Sequence, residues 1–193
     1  FAATSLNDIA TAVGISKGNL SYHFPTKLDL AIRLREDSRQ LARDRRRKYQ
    51  PGRIADDYVE HLLFAMDITW NNRFLLRDSD QFPGQDDEHK AELAADFEEL
   101  HELVERIDSA GMFRKGAISN LTTLTRSIWI VSRYWMDYLR ESEGRQKICW
   151  TDQDGGNQHH FAVLLPCLTA TARKEFGAAL ARAPRRQEAD DRT

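Results

Sequence analysis

Apolar residues recur along this chain at intervals of three and four, with polar residues between them. That spacing places the apolar side chains on one face of an α-helix, and the alternation typical of a β-strand is hard to find. The pattern predicts an all-α protein with a polar loop over 143–158 and a frayed tail over 183–193. The predicted helices cover residues 6–12, 17–24, 26–49, 54–72, 73–82, 86–109, 119–140, 159–165 and 171–181.

The first two helices are short, and a turn of three residues separates them. Ser5 and Asp8 have the spacing of a capping box at the start of the first helix. Gly14 can adopt the left-handed backbone conformation that ends a helix, and Ser16 stands where the second helix needs its N-cap. Two short capped helices around such a turn are the signature of a helix-turn-helix.

The third helix is the regular element that links the helix-turn-helix to the rest of the chain. Thr26 and Asp29 repeat the capping arrangement at its start. Its apolar stripe, which we expect to face inward, comprises Leu28, Ala31, Ile32 and Leu34.

Charge is unevenly distributed, although the net charge is only −2. Residues 1–53 contain eleven Lys and Arg against five Asp and Glu, whereas the remaining residues contain seventeen against twenty-five. A basic N-terminal segment on an acidic body indicates that this segment meets a polyanion. A solvated, charged helix is the alternative interpretation.

Composition excludes several classes of protein. No apolar run approaches the ~20 residues that a membrane span needs, and no secretory signal pattern opens the printed chain. Two cysteines, Cys149 and Cys167, are too few for a disulfide framework or a four-ligand zinc site. We expect a soluble, cytoplasmic protein with no membrane partner.

The sequence contains no Gly-rich phosphate loop, GxSxG elbow or HExxH motif. His159 and His160 lie near Asp152 and Asp154, which raises the question of a metal site. Adjacent residues point to different sides of a helix, however, and a two-histidine site favours i, i+4 spacing. We expect neither an enzyme nor a bound metal or cofactor.

In a helix-turn-helix, the second helix enters the major groove of DNA with its outward side chains on the base edges. Lys17 can donate to guanine, Asn19 can form paired hydrogen bonds to adenine, and Gly18 allows close approach of the backbone. Tyr22 and His23 end this helix, where they can reach phosphate oxygens, although simple packing of both rings is the alternative. The candidate DNA-binding residues are Thr4, Ser5, Ser16, Lys17, Gly18, Asn19, Ser21, Tyr22, His23 and Lys27.

The stretch TSLNDIATAVGISKGNLSYHFPTKLDL, from Thr4 to Leu30, resembles the DNA-binding signature of the tetracycline-repressor (TetR/AcrR) family of bacterial regulators. A second stretch, LLPCLTATARKE from Leu164 to Glu175, is similar to a pattern in one branch of that family. Family members carry a further helix before the position of Thr4, so the resemblance implies that this helix is absent from the printed sequence. It also implies a dimeric transcriptional regulator that holds a small effector in its helical body.

Aromatic and arginine residues of the body form a candidate effector pocket. Aromatic side chains with occasional polar groups line small-molecule cavities, although at helical spacing they more often belong to a core. Arg126 and Arg133 lie seven residues apart with Trp129 between them, which favours an anionic, partly apolar ligand unless the arginines are simply solvated. The candidate pocket residues are Trp70, Phe74, Arg77, Arg126, Trp129 and Arg133.

The predicted helix over 119–140 is apolar on more than one face. One face can fill the core of its own chain, and the other then needs cover, so we expect a two-fold dimer in a four-helix arrangement. A single thick monomer core is the alternative. The candidate interface residues are Leu121, Leu124, Ile128, Val131, Trp135, Phe161, Leu164 and Leu165.

These observations predict an N-terminal helix-turn-helix DNA-binding domain over 1–49, including the linking helix 27–49, followed by a larger helical ligand-binding and dimerisation domain over 53–182. The expected function is that of a homodimeric repressor, which binds a palindromic double-stranded DNA operator and is released by a small-molecule effector. Effector binding is expected to tilt the linking helix and change the separation of the recognition helices. The alternatives are a helix-turn-helix regulator controlled by a protein partner instead of a ligand, and a helical enzyme or scaffold.

Overall fold

The computed structural model describes residues 4–46, 49–73 and 86–183. These residues form eight α-helices and one short 3-10 helix, which confirms the all-α prediction. In these ranges every helix is too short or too polar to span a bilayer. The chain divides into two compact units, one of Phe1–Lys48 with Asp67–Asp86 and the other of Tyr49–Met66 with Asp87–Thr193.

Of the described residues, 67–73 group with the first unit although they fall within the second domain predicted over 53–182, and the predicted domain bounds stay a prediction. A hydrogen bond within this unit illustrates the reason, since the Asn72 side-chain amide donates to the Ser38 hydroxyl over 3.0 Å. The predicted helical residues 74–82 and the tail over 184–193 lie outside the described residues.

The first unit begins with the helices α1 (Leu6–Ala12), α2 (Lys17–His23) and α3 (Lys27–Arg46). Of the stripe expected to face inward on α3, Ala31 is buried, but Ile32 and Leu34 are 41% and 38% exposed. The prediction is wrong for these two residues. At 100° per residue the stripe spans about 160° of the helix circumference, and Ile32 and Leu34 are its two edges.

Helix α4 (Ile54–Asn71) contributes to both units. The second unit continues with α5 (Asp86–Ser109), α6 (Leu121–Glu141), α7 (Trp150–Leu164), a 3-10 turn (Leu165–Cys167) and α8 (Ala170–Arg182). Each of these α-helices contributes to one apolar core, whose most deeply buried members include Tyr58, Val104, Ile107, Ile128, Leu164 and Phe176.

Helix α7 contradicts the loop predicted over 143–158, because it begins at Trp150. The adjacent Gly155 and Gly156 indicated irregular structure, but in the fold they allow Trp135 of α6 to approach α7 closely. A Cβ at Gly156 would lie 2.8 Å from Cδ1 of Trp135, and the indole Nε1 donates to the Asp152 carbonyl over 2.7 Å. The contact with Trp135 therefore requires a glycine at position 156, although local propensity alone would place this residue in a loop.

Alanine substitution at two helical glycines should have opposite effects. Gly156→Ala places a methyl group against the Trp135 ring and should lower the free energy of unfolding by about 1–3 kcal/mol. The Cβ position at Gly177 of α8 has no neighbour within 4 Å. Gly177→Ala should therefore raise the free energy of unfolding by about 0.5–1 kcal/mol, because alanine favours a helix. Denaturant unfolding measures both shifts, and shifts of the same sign would contradict the role of the Trp135 contact.

A buried histidine connects three helices of the second unit. The Nε2 of His160 on α7 lies 2.8 Å from the Tyr58 hydroxyl on α4, and its Nδ1 lies 2.8 Å from the Ser132 hydroxyl on α6. Both ring nitrogens thus have a hydrogen-bonding partner, as buried polar groups require. Burial, helped by the nearby His61, lowers the pKa of His160 to about 3, so the ring is neutral at pH 7.

Stability should decrease in acid because of His160. The fold lowers the pKa of His160 from its ordinary value of 6.5 to about 3. At a pH between these two values, the unfolded chain binds a proton at this histidine and the folded chain does not. The stabilising contribution is complete above the ordinary pKa and is lost toward the folded pKa, at up to about 1.4 kcal/mol per pH unit. Unfolding free energies measured from about pH 7 to about pH 4 should fall less steeply in His160→Gln than in wild type. His159→Gln, which removes an exposed histidine, is the control, and equal slopes in wild type and His160→Gln would contradict the prediction.

Candidate nucleic-acid interface

Hydrogen bonds at the helix ends build the helix-turn-helix. The Ser5 hydroxyl accepts from the Asp8 N–H over 3.2 Å, and the Asp8 carboxylate accepts from the Ser5 N–H over 2.8 Å. The hydrogen bonds from Ser5 also hold the pKa of Asp8 below its ordinary value. Gly14, with a φ of +74°, follows α1, and the Ser16 hydroxyl accepts from the Asn19 N–H over 3.1 Å at the start of α2. The predicted capping residues are confirmed.

Most polar residues of α2 face solvent. Leu20 is its buried anchor, whereas Lys17, Gly18 and Asn19 are exposed. Tyr22 is 84% exposed, and its ring meets the edge of the exposed His23 ring at 5.2 Å between centres. Both rings therefore lie outside the core and pack against each other at the surface. Ser21 is half-buried.

An open cleft of about 530 Å³ lies at the start of α1 and brings together four of the predicted DNA-binding residues. Its lining consists of Thr4, Ser5, Leu6, Asn7, Asp8, Lys17 and Lys27. The Lys27 ammonium donates to the Thr4 carbonyl over 2.6 Å, which connects the start of α3 with the start of α1. The ammonium groups of Lys17 and Lys27 favour the approach of an anion to this cleft.

Part of the positive charge of the N-terminal segment is paired along α3. Arg33 lies 2.8 Å from Asp37, and Glu36 accepts from Arg39 over 3.1 Å and from Arg43 over 2.6 Å. The hydrogen bonds from Arg43 and Arg39 lower the pKa of Glu36. A solvated, charged helix is a sufficient explanation for the arginines of α3. Exposed ion pairs of this kind contribute little to the stability of the fold. The exposed face of α2 is the more specific candidate for DNA.

Two family comparisons match this chain. Residues 1–34 match the family described as bacterial regulatory proteins, tetR family, and residues 39–176 match the TetR family described as bacterial transcriptional repressor. The chain belongs to the TetR family. It is a DNA-binding transcriptional repressor and not an enzyme, and the resemblance of the stretch from Thr4 to Leu30 is confirmed.

A solved structure shares the TetR fold. The crystal structure of a TetR-family transcriptional regulator from Marinobacter aquaeolei VT8 matches with a TM-score of 0.73 at 20% identity, covering 94% of this chain and 89% of that chain. At this identity the match shows a common fold. Comparison with curated proteins found no match.

In this TetR-family chain, the predicted effector residues fall into separate groups. Trp70 is buried in the first unit, where the Arg73 guanidinium lies 4.2 Å from the centre of its ring. Phe74 and Arg77 lie outside the described residues. The remaining three belong to α6 in the second unit.

Arg126, Trp129 and Arg133 form a cluster with two residues that sequence reasoning missed as site residues. The Trp129 ring meets the edges of Phe97 and Tyr134 at 6.2 and 6.1 Å between centres. The Arg126 guanidinium lies 5.7 Å from the Phe97 ring centre, and that of Arg133 lies 5.3 Å from the Tyr134 ring centre. We call these five residues the aromatic–arginine cluster. Helical periodicity could not identify Phe97 or Tyr134 as site residues, because it does not show which rings gain a cationic neighbour.

Three of the predicted dimer residues are buried in the core of their own chain. Ile128 and Leu164 are 0% exposed and Phe161 is 6% exposed, so the predicted interface role of these three is wrong. They offer no surface to a second copy. The other predicted interface residues are half-buried: Leu121, Leu124, Val131, Trp135 and Leu165.

Helix α6 instead exposes a different apolar stripe. Ile130, Tyr134 and Tyr138 are 47%, 45% and 47% exposed, and their spacing of four places them on one face. Trp135 extends this surface, since its ring stacks on Tyr138 at 5.5 Å and packs against His159 at 4.5 Å between centres. Large apolar side chains grouped on a surface indicate a contact with a partner.

The adjacent histidines of α7 have different surroundings. His160 is buried between Tyr58 and Ser132, whereas His159 is exposed beside Trp135. In the described ranges, no group of three His, Cys, Asp or Glu side chains could hold a metal ion.

Proposed function

We propose that this repressor acts as a homodimer, binds a palindromic operator and releases it when a small-molecule effector binds the helical body. The exposed face of α2, opposite the buried Leu20, is the observation that supports operator binding most directly. A recognition helix of seven residues contacts few base pairs. Specific repression then requires two copies on a site with matching symmetry.

Two kinds of DNA contact are proposed along α2 and the start of α3. The proposed base-reading residues are Lys17, Asn19 and Ser21. The Lys17 ammonium matches the hydrogen-bonding edge of guanine in the major groove, and the Asn19 amide matches that of adenine. The Ser21 hydroxyl can bond to either base. The proposed phosphate contacts are Tyr22, His23 and Lys27. Phosphate contacts position the protein and carry no sequence information.

Substitutions at Asn19 and Lys27 should separate the two kinds of contact. Selection from a random-sequence duplex library with the wild-type protein supplies the operator. Asn19→Ala should weaken binding to that operator by about 1–3 kcal/mol and leave binding to unrelated DNA unchanged. Lys27→Ala should weaken both and reduce the slope of log affinity against log salt by about one. Fluorescence anisotropy at matched salt measures these effects.

Lys115→Ala is the control for loss of charge, since Lys115 is an exposed lysine outside the proposed interface. It should leave both affinities unchanged. Intact operator discrimination in Asn19→Ala would contradict the base-reading role of Asn19.

The second copy of the chain is proposed to cover the exposed stripe of α6 together with the adjacent surface of α7. A two-fold axis lets the same patch on each copy cover the other, so one stripe is sufficient for both. Ile130, Tyr134 and Tyr138 supply apolar surface, and the Trp135–His159 contact joins α6 to α7 at its edge. The proposal retains the predicted helices but replaces the buried Ile128, Phe161 and Leu164.

A charge in this stripe should dissociate the dimer. Ile130→Lys would bury an ammonium group at the interface without a partner, which is strongly unfavourable. Sedimentation at micromolar concentration should give the mass of a dimer for wild type and of a monomer for Ile130→Lys. Ala178→Lys, on the exposed surface of α8, should remain dimeric. A monomeric wild type would contradict the homodimer, and a dimeric Ile130→Lys would contradict this interface.

The effector is proposed to bind at the aromatic–arginine cluster. Tyr134 belongs both to this cluster and to the stripe that the second copy covers, so the proposed site lies at the edge of the proposed dimer interface. Rings that meet edge to face provide apolar walls, and the two guanidinium groups provide positive charge beside them. This combination suits a small ligand with an aromatic or aliphatic body and a carboxylate or another anionic group. A ligand of this kind can release DNA only if it binds one arrangement of the repressor more tightly than the other.

A further inference from the structure

His101 of α5 lies beside the aromatic–arginine cluster and is held by two neighbours. Its Nδ1 lies 3.0 Å from the Thr125 hydroxyl of α6, and its ring stacks on the Phe97 ring with 5.9 Å between the centres and 15° between the planes. The Thr125 hydroxyl has a single hydrogen, which it donates to the Leu121 carbonyl over 3.0 Å. It therefore accepts a hydrogen bond from Nδ1 of His101, and this bond sets the orientation of the imidazole.

The other ring nitrogen of His101 faces a carboxylate. A neutral imidazole that donates from Nδ1 has a hydrogen-bond acceptor at Nε2. This Nε2 lies 3.6 Å from the Glu105 carboxylate, which is a second acceptor and is beyond hydrogen-bonding distance. The two side chains are 18% and 55% exposed, so both can be reached from solvent. Two acceptors at this separation suit a ligand group that donates several hydrogen bonds, and an ammonium group does so with three N–H bonds.

The arginines of the cluster differ from other arginines of the second unit. Arg106 and Arg114 donate to a carboxylate and to a backbone carbonyl. Within the described part of the chain, the guanidinium groups of Arg126 and Arg133 have no hydrogen-bond acceptor, and each lies over one aromatic ring at 5.7 and 5.3 Å from its centre. A guanidinium group over a ring keeps its N–H edge available for paired hydrogen bonds to a carboxylate.

The ring of Phe97 joins the two polar ends. His101 stacks on this ring, and the Arg126 guanidinium lies 5.7 Å from its centre, so an acceptor pair and a cation border one phenyl group. We propose that the aromatic–arginine cluster takes an α-amino acid with an aromatic side chain, whose ammonium group binds between His101 and Glu105 and whose carboxylate binds Arg126. The ligand ring then packs against the aromatic edges of the cluster. This inference rests on the effector site of the proposed function and adds an amine to the ligand.

Three probes with the same phenyl group separate the two polar ends. L-phenylalanine carries an amine and a carboxylate, 3-phenylpropionate carries the carboxylate alone, and 2-phenylethylamine carries the amine alone. In titration calorimetry, the wild-type protein should bind phenylalanine at least about tenfold more tightly than either of the other probes, because each of them lacks one charged hydrogen-bonding group. Equal affinity for phenylalanine and 3-phenylpropionate would overturn the amine site and leave the proposed site for an anionic effector. No binding of any probe would overturn both.

Substitutions assign the two ends of the ligand to their residues. Glu105→Gln should weaken phenylalanine binding at least about fivefold without weakening that of 3-phenylpropionate, because it removes the charge that faces the ammonium group. Arg126→Gln should weaken the binding of both, since both carry the carboxylate.

Glu102→Gln is the matched control, because Glu102 is an exposed glutamate of the same helix. It should leave both affinities unchanged. An unchanged phenylalanine affinity in Glu105→Gln, or an equal loss in Glu102→Gln and Glu105→Gln, would overturn the assignment of the ammonium group to His101 and Glu105.

Discussion

The DNA-reading part of this repressor depends on two helices of seven residues, and helices so short do not persist in water unaided. Hydrogen bonds at their ends compensate for the missing length. Ser5 and Asp8 form reciprocal hydrogen bonds at the start of α1, and Thr26 and Asp29 do so at the start of α3. At the start of α2 the Ser16 hydroxyl accepts a hydrogen bond from the Asn19 N–H. The exposed face of α2 keeps its orientation only while these caps hold, so the proposed base recognition depends on them.

Because each cap joins residues three positions apart, the sequence alone was sufficient to locate the helix-turn-helix and its outward face. The body of the protein required more information. Glycine is needed at position 156 of this helix because the indole of Trp135, about twenty residues earlier, occupies the space where a Cβ would lie. A pattern that considers neighbours along the chain cannot include such a contact, and it placed a loop where α7 begins.

The two faces of α6 show a second reason why the site was only partly predictable. The inward face carries the hydroxyls of Thr125 and Ser132, which donate to Leu121 and pair with His160 respectively. The outward face carries Ile130 and Tyr134. Some polar residues of α6 thus face inward and some large apolar residues face solvent, so a stripe drawn from hydrophobicity alone does not give the orientation of this helix. The helix was predictable, but its orientation depends on partners from α4 and α7.

The polar groups buried in the second unit have two different consequences. The bonds of His160 join α4, α6 and α7 inside the core, where they favour one packing of three helices over others. The ion pair of Arg106 with Asp57, by contrast, holds the backbone of Gln50. The proposed response to an effector needs one defined packing of the body, because coupling free energies are only about 1–3 kcal/mol. A body without a defined packing would dissipate so small a difference among many arrangements.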